Sequence, residues 1–322
     1  MSARYPFLLL LTLISCDTDR KEPQPLPETK AESATVAVPD FDGSAAFRYL
    51  LAQTKFGPRN PGSMGHSACL KYLQTELSKF ADTVIIQRFT ARDGKGDSHQ
   101  MANVIASFNR ESKERILLSA HWDTRPWADQ DPNPANRTKP ILGANDGASG
   151  VAVLLQLASI FKSNPPPVGI DIVLFDGEDL GISGNTEFFS LGSKYFAANK
   201  PAGFQVRFGI NIDMVGDKNL HIQRERYSDR YAPEVNDLVF GAAKELGLTQ
   251  LENVAGEEIY DDHIPLNLAG IRAVDLIDFN YPDASNKYWH TLEDTPDKCS
   301  RESLAAIGKV LLRVIYAKAA TF

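Results

Sequence analysis

From residue 41 onward the chain alternates between short apolar, β-branched runs and longer stretches in which apolar residues recur every three or four positions. The short runs predict strands at 84–89, 103–108, 115–120, 170–175, 208–212 and 273–277. Helical patterns lie between them. The clearest covers 148–161, where Val151, Leu154, Leu155, Ala158 and Phe161 fall on one stripe and Pro165, Pro166 and Pro167 stop it. Another follows Ser300, with Leu304, Ile307, Leu311 and Val314 on one face. This alternation predicts an α/β fold, a three-layer sandwich around a mostly parallel mixed sheet. The chain carries no internal repeat.

The first 40 residues read differently. Arg4, the apolar run from Phe7 to Ile14, and then Ser15 and Cys16 have the form of an export signal. The apolar run falls far short of the ~20 residues that a membrane-spanning helix needs. Leu13-Ile14-Ser15-Cys16 resembles a bacterial lipobox, in which cleavage before the cysteine leaves a lipid-bearing N-terminus. The expected organisation is a signal peptide at 1–15, a flexible tether at 16–40 and a folded domain at 41–322. The tether follows from composition, since prolines and charges alternate there with almost no large apolar side chain. The expected location is outside the cytoplasm, facing the periplasm or cell surface, with membrane contact only through the anchor.

Composition narrows the chemistry. The 322 residues include 34 Lys plus Arg against 41 Asp plus Glu, a net charge of −7 without any basic run, so a nucleic-acid partner is not expected. Three cysteines, none in a Cys-x-x-Cys pair, exclude a thiolate metal site; Cys69 and Cys299 remain free to pair in an oxidising compartment. Any metal is therefore held by carboxylates and imidazoles.

In parallel sheets, ligands bind beyond the C-terminal ends of the strands. The polar residues collect there. The strand at 115–120 runs into His121-Trp122-Asp123, that at 170–175 into Asp176-Gly177-Glu178-Asp179, and that at 208–212 into Asp213. Gly143-Ala144-Asn145-Asp146-Gly147 opens the 148–161 helix, and Trp289-His290-Thr291 lies in a loop before the last helix. Singly, each has an ordinary reading: Asp146 as a helix N-cap, Glu178 and Asp179 as solvated loop charge, His290 as a surface histidine. Together, several carboxylates on neighbouring buried strand ends would repel each other unless a cation sat among them. Oxygen and imidazole donors favour Zn²⁺ with an open, catalytic position.

In their order, His121-x-Asp123, Gly-Ala-Asn-Asp146-Gly, Phe-Asp-Gly-Glu178-Asp179, Ile-Asp213-Met, Asp261-Asp262-His263 and Trp289-His290-Thr291 resemble the zinc-dependent exopeptidases of the M28 superfamily, and within it the glutaminyl cyclase branch. The resemblance runs from about residue 41 to the end. Asp261-Asp262-His263 in place of Ser-Asp-His, Trp289 in place of Tyr or an aliphatic residue, and Leu191-Gly192-Ser193-Lys194-Tyr195 all point to the cyclases. The resemblance implies a zinc-dependent catalytic domain with Asp146, Asp179 and His290 as ligands. It further implies Glu178 as acid/base and Asp213 and Asp261 as hydrogen-bonding carboxylates, with Trp289 as an apolar substrate wall. The implied reaction closes N-terminal glutaminyl residues of peptides or proteins to pyroglutamate, by an enzyme expected as a monomer.

His121 and Asp213 match positions that hold a second metal in dinuclear relatives, so one zinc is expected and two remain permitted. Asp275 stands where vertebrate cyclases carry His, so no role carries over to it. Two alternatives accompany this reading. One is a dinuclear aminopeptidase built on the same ligands; the other is a binding lipoprotein that keeps the fold without catalysis.

Overall fold

The computed structural model describes residues 1–3, 37–319 and 322. The lipobox and the tether up to residue 36 lie outside the described residues. The chain divides between Thr35 and Val36, and the unit Val36–Phe322 carries the elements described below.

Its centre is a six-stranded sheet. In chain order the strands are β1 (Thr83–Arg92), β2 (Ser98–Phe108), β3 (Arg115–His121), β4 (Gly169–Phe175), β5 (Gly209–Asp213) and, after two short strands, β8 (Ala273–Ile277). In space the order is β1-β2-β4-β3-β5-β8. β1 and β2 form an antiparallel hairpin that joins β4 antiparallel, while β4, β3, β5 and β8 run parallel. The mixed, mostly parallel sheet expected from the pattern is present. The two short strands, β6 (Ile222–Arg224) and β7 (Leu251–Ala255), pair only with each other.

Side-chain alternation sorts the sheet into two faces. Even-numbered positions such as Ile116, Leu118, Ile170, Ile172, Ile210 and Ile212 enter the large core. Helices α1 (Gly43–Thr54), α2 (Met64–Ser78), α3 (Ala148–Ser163), α6 (Pro233–Glu245) and α8 (Arg301–Arg313) pack on that side. Ile105, Leu117, Val173 and Phe175 face a smaller core with Phe196 from α4 (Leu191–Ala198) and Leu266 from α7 (His263–Leu268). The short helix α5 (Arg226–Tyr231) lies against β8. With helices on both faces, β4 is buried at every position, which is why it reads as a continuous apolar run rather than an alternating one.

From β3 the chain crosses to β4 on one side and then returns past β3 to β5 on the other. Parallel sheets open a crevice at such a reversal, beyond the strand ends. His121 ends β3 and Asp213 ends β5, so both stand at its rim.

Candidate active site

The crevice gathers residues from six chain segments, and a single cleft is lined by Asp146, Glu178, Asp179, Asp213, Asp261 and His290 together with Trp289 and Phe279. His121 is not in its lining but lies against two of these residues, Asp146 and Asp213. The ordinary readings fail in the same places. Gly147, not Asp146, caps α3, with φ at 96° and no side-chain cap bond. Glu178 and Asp179 are buried rather than solvated, and His290 is only 3% exposed.

Two overlapping clusters share Asp146. In the first, Asp146, Asp179 and His290 each bring a ligand-type atom within 4.8 Å of the others. His290 Nε2 stands 3.3 Å from Asp179 Oδ1 and 3.6 Å from Asp146 Oδ2. Ligands bound at ~2.0–2.2 Å around a tetrahedral zinc are themselves separated by roughly 3.3 Å, so these separations suit that ion. Asp179 Oδ2 is buried without a hydrogen-bond partner, as expected of a donor turned toward a cation. The donor set, two carboxylates and an imidazole without thiolate, fits Zn²⁺ with a position left for substrate.

In the second cluster His121 Nε2 lies 3.1 Å from Asp213 Oδ1 and 3.2 Å from Asp146 Oδ1. Burial works against a charged imidazole, but Asp213, Asp123 and Asp146 outweigh it and hold His121 protonated well above its ordinary range. His121, Asp146 and Asp213 also bring ligand-type atoms within 4.8 Å of one another.

The candidate ligands are held by groups that sequence reading missed. Arg125 donates to Asp179 Oδ1 at 2.7 Å and pairs with Asp129 at 2.6 Å. Asp294 accepts from the backbone N–H of Asn145 and Asp146, orienting the loop that carries Asp146. Arg59, fully buried, donates to the carbonyls of Trp122, Leu142 and Gly143 and pins that same loop. Asp123, named only as part of the His121 motif, receives the backbone N–H groups of Glu178 and Asp179 and sets their turn. Arg59, Arg125 and Asp294 act on loops far from them in sequence, and none of them stood in a motif the sequence displayed.

Glu178 has the environment of a proton carrier. Burial, then the charges of Asp261 and Asp179, raise its carboxyl well above the usual range. Asp261 is pushed to about 6 by burial and by Asp213. Trp289 stacks on His290 with ring centroids 3.7 Å apart and meets Phe279 edge-on at 5.1 Å, forming the apolar wall. Asp275, whose role the sequence left open, is buried beside Asp261 and His263. Cys69 and Cys299 are both buried free thiols, so the pairing the sequence permitted is not made.

Comparison with known proteins agrees with this geometry. A family model described as Peptidase family M28 matches residues 103–315. Aminopeptidase YwaD of Bacillus subtilis (strain 168) is 26% identical over 215 residues, 65% of this chain but only 42% of its own length. Glutaminyl-peptide cyclotransferase of Bothrops jararaca is 24% identical over 294 residues, covering 79% of this chain and 75% of that protein. The crystal structure of Bacteroides thetaiotaomicron glutaminyl cyclase bound to N-acetylhistamine is 41% identical, with a TM-score of 0.83 over 87% of this chain and 99% of that one. With two thirds of its length matched by the family model and its carboxylates and histidines gathered at one crevice, this chain belongs to peptidase family M28.

Proposed function

We propose that this protein is a zinc-dependent glutaminyl cyclase, converting N-terminal glutaminyl residues of peptides or proteins to pyroglutamate with release of ammonia. The observation that carries the reading is Asp261, a buried carboxyl with a raised pKa that lines the same cleft as Glu178, Asp213 and Trp289. A carboxamide nitrogen offers donors to such a group, whereas the side chain of an N-terminal Leu offers none.

Asp146, Asp179 and His290 are the residues that would hold the zinc. When bound, zinc supplies Lewis acidity that polarises the carboxamide carbonyl and offsets the oxyanion of the tetrahedral state. Nucleophile and target already belong to one molecule, so the protein chiefly orients them. Glu178 takes a proton from the α-amine as its nitrogen bonds to the side-chain carbonyl carbon. It then delivers that proton to the amide nitrogen as the old C–N bond breaks and ammonia departs. Asp213 and Asp261 hold the departing nitrogen by hydrogen bonds. Trp289 packs along the glutaminyl methylenes and excludes water that would compete for the carbonyl.

One zinc per chain follows from this reading, with His121 as an imidazolium in the second position. The rival reading, a dinuclear aminopeptidase, is favoured by the spacing of His121, Asp146 and Asp213, which also suits a metal. Asp261→Ser tests the reading: it should abolish most cyclisation while zinc content and melting stay unchanged. Wild-type cyclisation in that variant would remove Asp261 from the mechanism, and two zinc ions per chain in the native protein would favour the aminopeptidase. The lipobox supports export and a lipid on Cys16, with the enzyme held at a membrane face as a monomer. Cys16→Ser should move it from the membrane to the soluble fraction, and unchanged membrane association would refute the anchor.

A further inference from the structure

The sheet face toward α4 and α7 carries a row of polar residues that the reaction above does not use. Ser119 in β3, Asn211 in β5 and Asp275 in β8 are lateral partners in the parallel register, and all three are buried. Two residues further along the same strands, on the same face, stand His121 and Asp213. A polar side chain inside a sheet is costly unless its bonds are made.

Here the bonds converge on Asp261. Ser119 Oγ donates to Asn211 Oδ1 at 2.7 Å, which fixes the direction of the amide. Its nitrogen then donates to two different carboxylates, Asp261 Oδ2 at 3.0 Å and Asp275 Oδ1 at 3.1 Å. Only a planar NH₂ aims two hydrogens at two acceptors in this way; a hydroxyl has one, and a carboxylate none. Asp275 is held from behind, its N–H donating to Ser228 Oγ at 2.9 Å, and that hydroxyl donating to Glu225 Oε2 at 2.7 Å. His263 stands between the two acids, Nε2 3.0 Å from Glu225 Oε2 and Nδ1 3.8 Å from Asp275 Oδ2.

We propose that Asn211, locked by Ser119, is a positioning residue that clamps Asp261 to Asp275 as a carboxyl pair sharing one proton, and so fixes the face Asp261 offers to the leaving amide nitrogen. The proposal rests on the glutaminyl cyclase reading. Two carboxylates side by side in a dry interior do not both ionise, and a shared proton removes the repulsion. The groups facing the pair are Asp213 from β5, His121 from β3, Glu178 after β4, Asp262 and His263 at the start of α7, and Glu225 ahead of α5.

The test uses the full-length zinc-loaded enzyme with Ser119→Ala, Ser119→Thr and Asn211→Leu. Ser119→Ala should lower kcat about tenfold, with KM for a glutaminyl peptide and zinc content unchanged, because a misdirected group costs rate rather than binding. Loss of the amide donors disfavours the ionised pair, so both limbs of the kcat profile should move to higher pH by roughly one unit. Ser119→Thr should restore both, and Asn211→Leu should deepen both effects. Wild-type kcat and profile in Ser119→Ala and Asn211→Leu would overturn the clamp. So would a loss of rate that only follows lowered melting while the profile stays in place. Carboxyl ¹³C titration of Asp261 and Asp275 reads the pair without turnover. Two well-separated steps support the clamp, and independent ordinary titrations refute it even if the wild type cyclises nothing, a result that would separately refute the cyclase reading.

Discussion

Glu178 and Asp179 are adjacent buried carboxyls whose affinities for protons diverge. Burial would raise both. His290 and Arg125 outweigh it at Asp179 and hold that group at about 2, ionised and ready to ligate, whereas Asp261 and Asp179 push Glu178 further up. A carboxyl whose proton affinity is raised is suited to carry a proton, and one that stays ionised is suited to a metal. Glu178→Gln should therefore keep its zinc while losing roughly 10²-fold or more in turnover. His290→Ala should lose the zinc itself. Metal analysis beside kcat on both variants checks the division, and loss of zinc from Glu178→Gln would reverse it. The gathering of these residues at one crevice was legible in sequence because strand ends and the M28-like motifs marked them. Arg125 and Asn211 were not marked. Their importance lies in what they touch across the sheet, and no pattern within their own strand or loop records a partner fifty residues away.

At the level of elements, the α3 N-terminus shows how a turn places a proposed ligand. Gly147 has φ at 96°, and a Cβ there would stand 2.4 Å from the carbonyl of Asp123 and 3.2 Å from His121 Cε1. The chain passes this closely because Asp146 must reach the crevice just before the helix begins. Gly147→Ala should displace both Asp146 and Asp123, whose carboxylate holds the turn that carries Glu178 and Asp179. The expected outcome is weaker zinc retention against a chelator together with a lower melting temperature, and normal zinc retention would contradict it. The six strands of the sheet were each visible as apolar runs, with ends within three residues except at β2, which begins five residues before the run at 103–108. β6 and β7 were not. β6 is three residues long, and four of the five residues of β7 are exposed, so neither leaves a burial pattern for the sequence to display.

For the molecule as a whole, ionisable groups buried around the crevice set how stability depends on pH. Asp278, just past β8, is buried and accepts the N–H groups of His221 and Asn280, yet burial pushes it up to about 7. In the unfolded chain the same group titrates near ~3.9. The folded state therefore binds this proton more tightly, and its stabilising contribution is full below about pH 4 and lost as pH rises through about 7. Asp278→Asn should melt above wild type at pH 8 and converge with it near pH 4; an equal difference at both values would contradict the assignment. The shift concerns stability alone. The central claim, that the crevice closes glutaminyl residues rather than hydrolysing peptide bonds, is met most directly by one comparison on the purified protein. Ammonia release from an N-terminal glutaminyl peptide is measured beside amine release from a leucyl arylamide, each with and without a zinc chelator. The account predicts rapid, chelator-sensitive ammonia release and negligible hydrolysis of the leucyl substrate. Leucyl hydrolysis without ammonia from the glutaminyl peptide would contradict it.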